Sequence, residues 1–123
     1  MNNNILDFFI SLYNTKLYPE NSILMPAIPP QKIILIEYRP HTGSKLRVYH
    51  QEIENYSTDE INLIAKNLGT TLLNIDIDNT TTNESVIGRE NGYFNYKNKL
   101  INYNILATKN SHDGIDINIS FSS

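Results

Sequence analysis

Two aspartates spaced two apart at the end of an apolar run are the residues best placed to do chemistry in this chain of 123 residues, where Leu72-Leu73-Asn74-Ile75 leads into Asp76-Ile77-Asp78-Asn79-Thr80. On an extended backbone Asp76 and Asp78 project from one face, while Leu73, Ile75 and Ile77 project from the other. Carboxylates so placed can hold a divalent cation, and one can attack a phosphoryl group while its neighbour moves a proton. The rest of the chain offers fewer reactive arrangements. His41, His50 and His112 lie in three separate segments without the short spacing of metal ligands. There is no Gly-x-Ser-x-Gly elbow, and the five glycines stand singly, so no glycine-rich loop is available for phosphate. Cysteine is absent, which removes disulfide and thiolate chemistry. No catalytic residue, metal or cofactor is therefore expected.

The elements that must position these residues are readable from periodicity. Ile5, Phe8, Phe9, Leu12 and Tyr13 recur at three- and four-residue intervals, which predicts a helix over Asn4–Leu17 with Asn4 as its N-cap. Pro19, Pro26, Pro29 and Pro30 then exclude a continuous helix or central strand and predict an extended connection. Lys32–Arg39 and Lys45–Glu52 flank the turn-forming Pro40-His41-Thr42-Gly43-Ser44 and read as an antiparallel hairpin, its first strand central. In the second strand, Leu46, Val48 and His50 share one face.

Ser57 and Glu60 form a capping box, with Tyr56 and Ile61 placed as a hydrophobic staple. Ile61, Ile64, Ala65 and Leu68 make the buried stripe of a second helix at 58–68, with Gly69 as its left-handed terminator. Leu72–Asp78 reads as the next strand, and Asn79–Ser85 as an exposed loop. Beyond it the chain reads as a meander. Val86–Glu90 and Tyr93–Lys97 are separated by Asn91-Gly92, a strong type I′ turn signal, and Lys99–Ala107 follows. The last strand alternates Ile115, Ile117, Ile119 and Phe121 with polar residues after an Asp113-Gly114 turn. The expected fold is α+β, a single domain over 1–123, with an antiparallel sheet of about five to seven strands packed against the two helices.

The stretch Leu72–Thr80 resembles the first motif of the haloacid dehalogenase family of phosphotransferases, in which apolar strand residues precede Asp-x-Asp-x-Thr; Asn74 departs from that pattern. The resemblance implies a magnesium-dependent phosphatase with Asp76 as nucleophile, Asp78 as general acid and base, and magnesium bridging Asp76 to the phosphate. In that family the motif opens a Rossmann-like sheet, and later helices, a lysine and an acidic motif complete the site. Here the residues after Thr80 read as short antiparallel strands rather than βαβ units, which need about thirty residues each. The leading expectation is a binding module without enzymatic activity, and the phosphatase is the alternative.

With 10 basic and 13 acidic residues the formal charge is -3, so no footprint for a phosphate backbone is present and no nucleic-acid partner is expected. In size, acidity, lack of cysteine and asparagine- and isoleucine-rich, AT-type residue usage, the chain resembles the small immunity proteins that neutralise bacterial toxins, including those of contact-dependent growth inhibition systems. No diagnostic motif is shared, so no residue roles are carried over. The resemblance implies a cognate toxin domain as partner, expected to be a nuclease and basic where it grips phosphate, met by an acidic surface. Asp76, Asp78, Glu84, Glu90, Asp113 and Asp116 are the candidate toxin-facing acids, and Tyr93, Phe94 and Tyr96 the candidate aromatic anchors. The final strand, with its Asn118 and Ser120 face, offers a further route by β-augmentation. A monomer or weak homo-oligomer is expected. A cytoplasmic setting without membrane contact is also expected, because Asn2, Asn3 and Asn4 replace the cations of a leader and no apolar segment is long enough to span.

Overall fold

Ile115, Ile117, Ile119 and Phe121 alternate with Asp116, Asn118, Ser120 and Ser122, so the strand they form must bury one face and can leave the other open. The computed structural model, which describes residues 3–14 and 32–122, places that strand at the centre of the sheet. In chain order the elements are α1 (Asn3–Asn14), β1 (Lys32–Tyr38), β2 (Lys45–Val48), β3 (Gln51–Glu52), α2 (Thr58–Asn67), β4 (Val86–Tyr96), β5 (Lys99–Lys109) and β6 (Ile115–Ser122). The strands form one antiparallel six-stranded sheet in the order β3-β2-β1-β6-β5-β4. The fold is α+β. The expected proline-rich connection and the end of the first helix beyond Asn14 lie outside the described residues.

One face of the sheet is the core. Ile34, Ile36 and Tyr38 of β1 line up with Ile119, Ile117 and Ile115 of β6, and Ile105 and Ala107 of β5 continue the rows. Burying an isoleucine such as Ile117 stabilises the fold by roughly 1.5–3 kcal/mol. α1 closes this face at the far end through rings: Phe9 lies 5.3 Å from Tyr103 and 5.7 Å from Phe121, and Tyr13 lies 5.7 Å from Phe121. α2 buries Ile61 and Ala65 over β1 and β2. The opposite face carries the exposed Ile33, Tyr93 and Leu100 with Asn102 and Asn104. β1 is thus covered by helix on one side only. Among the described residues, no helix is long and apolar enough to cross a membrane.

The N-terminus of α2 forms as its local chemistry predicts, with Ser57 Oγ accepting the Glu60 N–H at 3.2 Å. Its C-terminus does not. Gly69 is buried and continues the helix into a π-helical turn, Leu68–Leu72, closed by Leu73 N–H donating to Leu68 O at 3.0 Å. The glycine is needed for space instead of handedness, because a Cβ there would stand 2.5 Å from Ile77 Cδ1. The strand expected over Leu72–Asp78 is therefore replaced by this turn and an unpaired crossing segment. Gly88 and Ala107, cross-strand neighbours in β4 and β5, leave room for it: a Cβ on Gly88 would meet Leu73 Cβ at 3.2 Å.

Two expected turns move. The type I′ signal at Asn91-Gly92 is overridden, and β4 runs straight through it for 11 residues. Tyr103 lies across Gly92, where an added Cβ would be 2.3 Å from its hydroxyl. Continuing the strand brings Phe94 into the core, and the reversal falls at Lys97 and Asn98, both at positive φ. Conversely, the single strand expected over Lys45–Glu52 breaks at Tyr49 and His50, also at positive φ, so His50 is an exposed turn residue rather than a neighbour of Leu46 and Val48. The final strand is not an edge: β6 is bonded to β1 and β5 on its two sides, which closes it to β-augmentation.

The tightest backbone approach is at Gly114, where a Cβ would lie 1.8 Å from Tyr38 O. Gly114→Ala should destabilise the protein by about 3 kcal/mol through displaced backbone, read as a lower urea midpoint with an unchanged slope.

Candidate functional site

Crossing the sheet on its π-turn, the chain delivers Asp76 and Asp78 to one end of the molecule. There Asp76 folds the following residues around itself. Its Oδ1 accepts the Asp78 N–H at 3.2 Å, its Oδ2 accepts from Asn79 Nδ2 at 2.9 Å, and its carbonyl accepts the Thr80 hydroxyl. Asp78 turns to the sheet, accepting from Tyr38 Oη at 2.6 Å and facing Lys66 Nζ at 3.4 Å. Both carboxylates are therefore committed to holding a knuckle, with part of each still exposed.

A second knuckle stands beside it. Asn110 organises the β5–β6 turn through Oδ1, which accepts from His112 N at 3.0 Å and Gly114 N at 2.9 Å. Its Nδ2 donates to Asp116 Oδ1 at 3.0 Å and to Tyr38 O at 3.3 Å. Asp113, at φ 57°, sits exposed at the tip of this turn. The two knuckles share a hollow of about 170 Å³ lined by Ile77, Thr80, Lys109, Asn110, Asp113 and Ile115. Glu84 joins the same end, because Ser85 O accepts the Lys109 N–H at 2.9 Å just before β4 begins.

The fold thus gathers Asp76, Asp78, Glu84, Asp113 and Asp116 from three stretches of sequence. The other candidates go elsewhere. Glu90 lies on the core face of β4, where its charge helps to raise the Tyr103 pKa after desolvation by burial. Phe94 is buried against Tyr13 and Phe121. Tyr96 packs its ring 5.5 Å from Tyr13 and donates to Asn14 Oδ1. Only Tyr93 of the aromatic candidates stays open, 68% exposed on the uncovered face.

Tyr38, Lys66 and Asn110 support the site and carry no local sequence signal for it, since the Tyr38–Asp78 contact spans 40 residues. A second charged group was equally hidden. Glu37, nearly buried, accepts from Arg39 Nη2 and Arg47 Nη1 at 2.6 Å each, and Arg47 also reaches Glu52 at 3.4 Å. Hydrogen bonds from Lys45 and Arg47 lower the Glu52 pKa. That network pairs Glu37 and Glu52 with Arg39, Arg47 and Lys45, whereas the acidic end keeps Asp76, Asp78, Glu84 and Asp113 exposed, with Lys66 and Lys109 beside them. Such an arrangement can accept hydrogen bonds from, and attract, a cationic surface. No family model, curated protein or solved structure matches the chain.

Burial and the Asp78 hydrogen bond push the Tyr38 pKa up to about 12, and the same hydrogen bond, aided by Lys66, lowers that of Asp78 below its ordinary 3.8. A carboxylate with a depressed folded-state pKa stabilises the fold above its ordinary pKa. That contribution is lost as pH falls through the lower folded-state value. Tyr38→Phe should therefore move the Asp78 pKa back toward 3.8, read by carboxyl NMR titration, and flatten the acid limb of stability between those two values.

Proposed function

We propose that this protein is an immunity protein, acting in the cytoplasm, that binds and neutralises a cognate bacterial toxin domain through its acidic end. The observation that carries the reading is that Asp76 and Asp78 sit in one hydrogen-bonded knuckle and Asp113 in a second, the two flanking one hollow, with Glu84 held at the same end by the Ser85–Lys109 backbone bond. Carboxylates held by their own turns lose little freedom when a partner docks, so more of the contact energy is retained as affinity. A toxin that cleaves nucleic acid is basic where it holds phosphate, and an acidic protein covering that surface blocks substrate access while its field speeds encounter. Thr80 and Asn110 add hydrogen-bonding groups at the same place, and Ile77 and Ile115 give the hollow an apolar floor.

The partner to test is a toxin domain sought in the genes that neighbour this one. Purified together, the two should form a complex whose association slows as salt rises. Asp113→Asn keeps a residue that tolerates positive φ while removing one exposed charge. It should slow association by about three- to tenfold and leave dissociation little changed, as steering charges do. Stopped-flow or surface-plasmon kinetics measure both rates, and failure of the two proteins to bind overturns the proposal.

A further inference from the structure

The two edges of the sheet are unlike. β3 is two residues long and presents little for another strand to pair with, whereas β4 presents 11 residues, and none of the described residues pairs with its outer side. Edges of that length are ordinarily blunted by charges, lysine above all, by proline or by a bulge, and here the charges are Arg89 and Glu90, opposite in sign and adjacent. Val86–Tyr96 contains neither lysine nor proline, and its register irregularity falls at its start, between Val86 and Gly88. The two-residue turn at Lys97 and Asn98 makes Tyr96 and Lys99 a hydrogen-bonded pair, so Phe94, Gly92 and Glu90 also bond toward β5. By alternation, Arg89, Asn91, Tyr93 and Asn95 direct their backbone N–H and C=O groups outward.

We propose that a second copy of this chain pairs with β4, antiparallel and about a two-fold axis at Asn91, joining two sheets into one. The strand complements itself in that register. Asn91 faces Asn91 of the second copy, and each side-chain amide can both donate and accept. Arg89 falls opposite Tyr93 of the second copy, setting a guanidinium beside a ring that is otherwise open to solvent. Glu90 falls opposite Gly92, which has no side chain to crowd it. Moving the axis to Glu90 or Arg89 would oppose like charges directly. The pairing is isologous, one patch serving both partners, and it is the Asn91–Asn91 and Arg89–Tyr93 matches that favour a second copy as the occupant.

Sedimentation equilibrium of the full chain over a concentration series should show a monomer–dimer equilibrium. Asn91→Pro removes an outward N–H without touching the bonds to β5, and should raise the dimer Kd at least about tenfold with an unchanged circular dichroism spectrum. Because the chain has no cysteine, Asn91→Cys reports the axis directly. Mild oxidation should link it into a dimer, while Asn102→Cys, exposed one strand further in, stays monomeric. This pair of variants decides the matter if Asn91→Pro fails to fold. A chain that sediments as a monomer at about 1 mM, or an Asn91→Cys variant that links no faster than Asn102→Cys, overturns the proposal.

Discussion

Strand β6 hydrogen-bonds to β1 along one edge and to β5 along the other, and Ile115, Ile117, Ile119 and Phe121 bury its whole apolar row in the core. Every other element takes its place from that burial. β1 and β5 must bring their own apolar faces into register with it, which puts Ile36 beside Ile117 and Ala107 in one row across three strands. Because the strand period is two, a one-residue slip would turn all of these side chains to solvent, so the register is strongly specified. The sheet then needs cover on one side only, which α1, α2 and the crossing segment after α2 supply.

Cover of that kind must fit the surface beneath it. The segment Leu73–Ile77 lies over Gly88 and Ala107, and the π-turn that launches it brings Ile77 against Gly69. Small residues sit where the backbone and side chains approach most closely, and the apolar side chains of the segment fill the space above the sheet. What leaves the core at the end of this crossing is the Asp76–Thr80 knuckle. Its position beside the Asn110 turn follows from the pairing of Tyr38 with Ile115, since Tyr38 offers its hydroxyl to Asp78 and its carbonyl to Asn110.

The acidic residues of the candidate site were recognisable one by one, because aspartate and asparagine before or within a turn use their side chains to cap backbone N–H groups. Their assembly was not recognisable. Tyr38, Asp78 and Asn110 are brought together by the order of strands, and neither residue type nor spacing reports that order. The aromatic candidates divide for the same reason. Tyr93, Phe94 and Tyr96 look alike in sequence, yet alternation sends Phe94 and Tyr96 toward α1 and Tyr93 to the open face.

Sequence alone determined the features whose causes are local. The Ser57 cap, the stripe of α2, the alternation of β6 and the turn at Asp113-Gly114 each depend on residues within one or two turns of one another, and each formed. Tertiary structure decided the rest, wherever a local preference competed with a larger burial. Asn91-Gly92 favours a reversal by a modest amount, but continuing β4 pairs it with β5 along its length and buries Phe94. Leu72–Asp78 has the alternation of a strand, but Gly69 lets the helix run on and the segment packs against β4 and β5 without pairing. Apolar patterning says that a residue will be buried; the partner it is buried against depends on the fold as a whole.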